Sequence, residues 1–381
     1  MQSGVAQYTR GRRASEQVSQ QMADVQVQVA VGAKVVVALL IISCCCTAEC
    51  GEFKPFPAYF IFGDSLVDAG NNNYITTVAK ANNLPFGIDF PGGPTGRFTN
   101  GKTVTDVLCD IVSLPFPPPY LAPTTRGTTI LQGVNYASAA AGIIRSTGYD
   151  FIGRVDIDTQ LVWFSNTIKD LNQQLGESGT QELLKKSLFS LTVGANDYVN
   201  NYLLKGSPTS LQYNTTQFHQ ILLNKHAQQL TELRKMGARN IVVTSIGPIG
   251  CIPAVLARRS KNGECSEYVN NLAREFNAGL KSLIPQLNGQ LPGSNFFYGE
   301  TFDSFFNYRN NPQKYGFKYG DKACCGAGKF NGNVLCLPIL KPCPDRDSYV
   351  FWDCFHPAEA ANKKFAHFLF DSLKDQLLKS L

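Results

Sequence analysis

Tyr59-Phe60-Ile61-Phe62-Gly63-Asp64-Ser65-Leu66-Val67-Asp68-Ala69-Gly70-Asn71-Asn72 decides how the chain reads. It opens as a short apolar run of aromatic and β-branched residues and closes in small, polar, turn-forming ones. That pattern predicts a buried strand leaving a sheet at its C-terminal end. Ser65 then falls just past the strand, where open α/β sheets place their ligands. Gly63 permits a tight turn there, and Asp64 suits a turn or a helix start. Two readings stay open on this stretch alone: Ser65 is a nucleophile, or Asp64 or Ser65 caps the next helix.

The far end of the chain separates them. Tyr349-Val350-Phe351-Trp352-Asp353-Cys354-Phe355-His356-Pro357 sets Asp353 and His356 three residues apart, on a turn leading into a helix. A carboxylate so placed can hold one ring nitrogen of the imidazole and leave the other to take a proton from serine. Pro357 suits the first turn of the following helix. A plain surface-loop histidine is the alternative, and the company of Asp353 and the aromatic run weighs against it.

Phe62-Gly63-Asp64-Ser65, Gly194-Ala195-Asn196-Asp197 and Asp353-Cys354-Phe355-His356-Pro357, in this order and spacing, resemble the GDSL family of SGNH hydrolases. The plant secreted GDSL esterase/lipases are the nearest likeness, and the resemblance covers nearly all of the chain after its leader. It implies an α/β fold: a flavodoxin-like three-layer α/β/α sandwich with a central, mostly parallel sheet. It implies a serine esterase or lipase that needs no cofactor and no metal. In that scheme Ser65 attacks an ester carbonyl, His356 is base then acid, and Asp353 orients it. The implied oxyanion donors are the backbone N–H groups of Ser65 and Ala140 and the side chain of Asn196. The family carries glycine where Ala140 stands, but alanine still donates a backbone N–H if its φ and ψ are permitted. Asn196 suits the task because its amide is a neutral donor that can be held in place. A small-residue packing turn at 139–142 and an Asx turn at Asn196 are the competing readings.

A chain of 381 residues can bury a large core, and α/β folds of this size are often single domains. The expected division is a leader over 1–48 and one hydrolase domain over 49–381. Residues 35–46 are apolar, follow Lys34 and upstream arginines, and end at Cys46-Thr47-Ala48. This reads as a secretory signal peptide cut near Ala48, too short for a transmembrane helix. Met22 is an alternative start, and no later apolar stretch is long enough to anchor the chain. The net charge is +6, and Arg10, Arg12, Arg13 and Lys34 against Glu16 and Asp24 put two of those charges in the leader. The remainder is mildly basic, without the basic and aromatic runs of a nucleic-acid binder. The expected product is a secreted monomer of the cell wall or apoplast whose partner is a small-molecule or polymer ester.

Twelve cysteines include Cys44, Cys45 and Cys46 in the leader and Cys50 just after it. In a secreted chain the others suggest disulfides. Cys251 and Cys265 flank one loop and read as a local pair. Cys324, Cys325, Cys336 and Cys343 cluster before the Asp353 turn. With no histidine among them, a disulfide-stapled loop is favoured over zinc. Cys109 sits in a helical pattern as a buried thiol.

Helical spacing runs over 102–112, 158–175, 218–236, 268–287 and 358–378, and strand-like runs cover 133–138, 187–193, 240–246 and 296–298. This alternation argues for a parallel sheet covered on both faces. In the last helix Phe365, Phe368, Leu369 and Leu373 are expected to face inward. His219 and His226 read as ordinary surface or half-buried histidines. Asn214-Thr215-Thr216 is an N-glycosylation acceptor on an expected surface loop. Residues 96–101 fit a lip beside the site, and Phe98, Phe116 and Tyr120 either line an acyl groove or belong to the core. Two other functions stay in view: acyl transfer to an alcohol through the same acyl-enzyme, and a non-catalytic secreted binding protein. Only the alanine run 139–141 favours the latter.

Overall fold

Tyr59–Gly63 (β1) is a fully buried strand. Leu188–Thr192 (β2), Asn240–Thr244 (β3) and Asn295–Gly299 (β4) extend it into a parallel sheet of order β1-β2-β3-β4. The computed structural model describes Gln20, Met22 and residues 53–380. The leader, its expected cleavage near Ala48, and Cys44, Cys45, Cys46 and Cys50 lie outside the described residues. Lys54–Leu381 is one compact unit.

Successive side chains of a strand point to opposite faces, and here both faces are covered. Phe60, Phe62, Phe189, Leu191, Ile241 and Val243 share one core with Ile157–Lys186 (α2), Thr215–Lys235 (α3) and Glu267–Gln290 (α4). Tyr59, Ile61, Leu188, Val242 and Phe297 share the other with Val104–Ile111 (α1), Phe302–Asn310 (α5) and Glu359–Lys379 (α6). Burial on both faces is why the strands read as unbroken apolar runs. The result is the three-layer α/β/α sandwich.

Residues 133–138 are not the regular strand expected from sequence. They do run beside β1: Ile61 N–H donates to Val134 O, Tyr136 N–H to Ile61 O, and Ser138 N–H to Gly63 O. The Asn135 side chain, however, turns back to accept from Ala137 N–H and donate to Val67 O. The ladder stops because Gly63 N–H donates to the Gln160 side chain instead of Tyr136 O, which leaves only isolated bridges at Asn135. Taking this segment as the second of five, the spatial order is 2-1-3-4-5, the flavodoxin-like arrangement. Its switch point lies between β1 and β2, and ligands of such sheets bind at the carboxyl ends there.

Other boundaries also move. Gly176 (φ 71, ψ 168) interrupts α2 near the predicted end, but the helix resumes and reaches Lys186, leaving Leu175 exposed. Phe368 is exposed rather than inward, because Phe365, Leu369 and Leu373 already form the buried i, i+4 stripe of α6. His219 and His226 are buried, not surface residues, where α3 packs on α4. Burial lowers both imidazoles, His226 to about 4. Asn214 is exposed as expected, but it caps α3 rather than lying in a loop. Its side chain accepts from Gln217 N–H (3.0 Å), and Gln217 accepts from Asn214 N–H (3.1 Å).

Cys251 is bonded to Cys265, Cys324 to Cys343 and Cys325 to Cys336. The last two bridges are nested and staple the loop that precedes Asp353. Cys109 and Cys354 are buried free thiols. Tyr319–Ala323 (β5) pairs with Tyr349–Phe351 (β6), and β6 delivers the chain to Asp353. Among the described residues no helix is long and apolar enough to cross a membrane.

Candidate active site

Gly63 closes β1 with φ 150, and a Cβ at this position would lie 2.3 Å from Thr192 O. Only glycine allows β1 to turn this close to β2. The Gln160 side chain clamps both polar groups of Gly63, accepting from its N–H and donating to its carbonyl at 2.9 Å each. Asp64 N–H donates to Thr192 O, and the Asp64 carboxylate accepts from Leu66 N–H (3.0 Å). Asp64 caps the turn, and Ser65 meets the far end of the chain.

Ser65 Oγ lies 2.8 Å from His356 Nε2, and His356 Nδ1 lies 2.8 Å from each oxygen of Asp353. Asp353 Oδ1 also accepts from the N–H groups of Phe355 and His356, at 2.8 Å each. The loop thus fixes its own carboxylate before that carboxylate fixes the ring. Pro357 precedes the helix rather than starting it: Ala358 is the N-cap of α6, and Pro357 bridges Phe351. The lip 96–101 borders this loop. The Phe98 ring centre is 5.1 Å from that of His356, and Thr99 Oγ1 donates to Pro357 O (3.0 Å).

Ala140 and Asn196, two of the expected oxyanion donors, line the same cavity as Ser65. Asn196 follows β2, donates through Nδ2 to Ala141 O (2.9 Å), and accepts through Oδ1 from Asn200 (2.6 Å). It makes no Asx turn. An amide nitrogen carries two hydrogens, so the second is uncommitted and Asn196 lines the same cavity as Ser65. The backbone N–H groups of Ser65 and Ala140 make no hydrogen bond among the described residues. Ala140 has φ 67, a left-handed conformation that costs alanine about 1 kcal/mol. Ala140→Gly keeps the N–H and removes the Cβ conflict. Thermal unfolding should show a gain of up to ~1 kcal/mol, with turnover within about threefold of wild type. A tenfold loss of turnover would show that the alanine methyl itself is needed.

Three buried polar side chains that hold these loops escaped the sequence reading. Gln160 is the first. Asp68 accepts from Gly70 N–H (2.7 Å), Asn71 N–H (2.8 Å) and Ala139 N–H (3.1 Å), tying the Ser65 loop to the alanine run. Asp197 accepts from Ile143 N–H (2.8 Å), Ile144 N–H (3.2 Å) and Thr147 Oγ1 (2.7 Å), tying that run to β2. Gln160 alone left a signal: it sits on the apolar stripe of α2 with Ile157, Leu161 and Phe164.

Burial pushes the Asp64 carboxyl up to about 7, against the Leu66 N–H and His356, which favour its charged form. Burial likewise raises Asp68 and Asp197 to about 6. A raised acid binds more protons in the folded chain than in the unfolded one, whose value is near ~4. The stability it contributes is present at low pH and is lost as pH rises from about 4 to about 7. The melting temperature should therefore fall between about pH 4 and pH 7, and Asp64→Asn should flatten that fall. An equally steep fall in the variant would assign the effect to other groups.

Ser65, Ala140, Asn196 and His356 open into one cavity of about 290 Å³. Phe86, Phe98, Phe151, Ile249 and Phe305 give it an apolar wall. Of the three aromatics left between groove and core, only Phe98 lines it. Tyr120 stacks on Trp163 (4.7 Å) in the core, and Phe116 packs on Phe90 (6.2 Å). Among the described residues no group of three His, Cys, Asp or Glu side chains is placed to hold a metal ion.

A hydroxyl, an imidazole and a carboxylate in hydrogen-bonded series, at the switch point of a flavodoxin-like sheet, define the geometry of a nucleophilic hydrolase. The chain belongs to the GDSL-like lipase/acylhydrolase family, whose model matches residues 59–369. Three GDSL esterase/lipases of Arabidopsis thaliana are similar to it. They are 46%, 47% and 45% identical over 81%, 80% and 82% of this chain and 83%, 79% and 86% of their own lengths. The third is named GDSL esterase/lipase 7. The protein is a carboxylic ester hydrolase.

Proposed function

We propose that the protein is a secreted serine esterase or lipase working through an acyl-enzyme on Ser65. The observation that carries this is the unbroken 2.8 Å series from Ser65 Oγ through His356 to Asp353, opening into an apolar cavity. Ser65 Oγ attacks the ester carbonyl carbon while His356 Nε2 takes its proton. The carbonyl oxygen becomes an oxyanion, met by the N–H groups of Ser65 and Ala140 and by Asn196 Nδ2. His356 then gives its proton to the leaving alcohol oxygen. Water, deprotonated by His356, cleaves the acyl-enzyme and restores Ser65. Asp353 stays ionised and holds the ring.

Three disulfides support an oxidising compartment and, with the leader, secretion to the cell wall or apoplast. Exposed Asn214 carries a glycan in this reading, because its Oδ1 makes the helix cap and its nitrogen stays outside that bond. The apolar wall favours esters with a hydrocarbon acyl group, such as lipid or cutin-like esters, over acetylated polysaccharide. An organophosphonate should label the protein one to one on the peptide containing Ser65, with loss of ester hydrolysis. Labelling elsewhere with Ser65 untouched would reject the assignment.

Asn196→Ala should lower kcat more than it raises KM, because a donor aimed at the developing oxyanion acts in the transition state. The expected loss is roughly 3 kcal/mol, or about a hundredfold in kcat. An unchanged kcat would confine Asn196 to holding Ala141.

A further inference from the structure

We infer that the mouth of the cavity is a docking collar for the surface of a neutral triacylglycerol droplet. Exposed large apolar side chains gather on three loops that also wall the cavity. Val78 and Leu84 lie on the first, Ile152 on the second, and Leu335, Leu337 and Ile339 on the third. Val78 is 64% exposed, Ile152 67% and Ile339 84%. Such side chains scattered singly are ordinary, but gathered around one opening they mark an interaction surface.

The loops are held in place. Val78 N–H and Thr77 Oγ1 both donate to Phe151 O (3.2 and 2.9 Å), which joins the first loop to the second. The nested Cys324–Cys343 and Cys325–Cys336 bridges staple the third, which carries exposed Leu335, Leu337 and Ile339. Ile152 has φ 71, a conformation that a β-branched residue adopts only at a cost. Its exposed side chain regains little of that cost by packing.

The occupant follows from continuity. Val78, Leu84, Leu335 and Leu337 are exposed outside and line the cavity that holds Ser65. An acyl chain drawn from an apolar surface pressed on the collar reaches the nucleophile without crossing water. A soluble ester gains nothing from the outer residues.

The inference rests on the esterase reading, and the test separates the two. Adsorption is measured on Ser65→Ala protein, whose lost turnover examines the esterase reading by itself. The probe is an emulsion of trioctanoin, with the bound fraction read after flotation. The Ser65→Ala protein should bind. Adding Ile152→Glu and Ile339→Glu should weaken binding by roughly a hundredfold, since burying each isoleucine is worth about tenfold or more. The same two changes in the Ser65 protein should leave turnover of soluble p-nitrophenyl acetate within twofold. Leu211→Glu, an equally exposed apolar site outside the cavity wall, should leave binding intact. Unchanged adsorption in the double variant would overturn the inference. So would an equal loss in Leu211→Glu, loss of soluble-ester turnover in the double variant, or binding to anionic vesicles but not to neutral droplets.

Discussion

Ser65→Ala protein should fold normally and lose ester hydrolysis by at least about ten-thousandfold. The covalent intermediate needs the serine oxygen, and what survives is the weak catalysis of the binding site and oxyanion donors alone. Folding is expected to survive because the hydroxyl has one partner, His356 Nε2, and an alanine methyl fits the same space. The turn is held by Gly63, Gln160 and Asp64, none of which the substitution touches. The checks are turnover of p-nitrophenyl esters beside a thermal melt. Wild-type turnover in a purified variant free of contaminating esterases would remove Ser65 from the chemistry.

The residues that line the candidate site were legible in the sequence, whereas those that hold them were mostly not, and the reason is sequence distance. Asp353 and His356 are three residues apart, so their pairing is a local turn that the side-chain types announce. Ser65, Ala140 and Asn196 each follow an apolar run, and strand ends of a parallel sheet gather on one edge. Gln160 reaches Gly63 across 97 residues and Asp68 reaches Ala139 across 71, so no local pattern predicts either bond. The segment 133–138 shows the complementary failure. Its composition is that of a strand, but distant Gln160 takes the Gly63 N–H that would have continued the ladder. The helix expected over 158–175 stops just before Gly176, which interrupts the helical angles of α2 without ending the helix.

Asp353→Asn should lower turnover by roughly ten-thousandfold while leaving the loop in shape. The asparagine oxygen can still accept from the N–H groups of Phe355 and His356, which Asp353 Oδ1 binds at 2.8 Å. What it removes is the charge beside Nδ1. An amide nitrogen facing that ring position favours the tautomer with its proton on Nε2, where it can no longer take one from Ser65. His356→Ala removes the base itself and should be at least as damaging. In the proposed scheme Asp353 acts through His356, so the double variant should lose little more than His356→Ala alone. Ser65 Oγ, His356 and Asp353 are in continuous contact, and such coupled groups do not contribute independently. The measurement is kcat/KM for the two single variants and the double on one soluble ester, with melts to show that each is folded. Losses that multiply would mean that Asp353 acts apart from His356, by holding the loop through its backbone bonds alone.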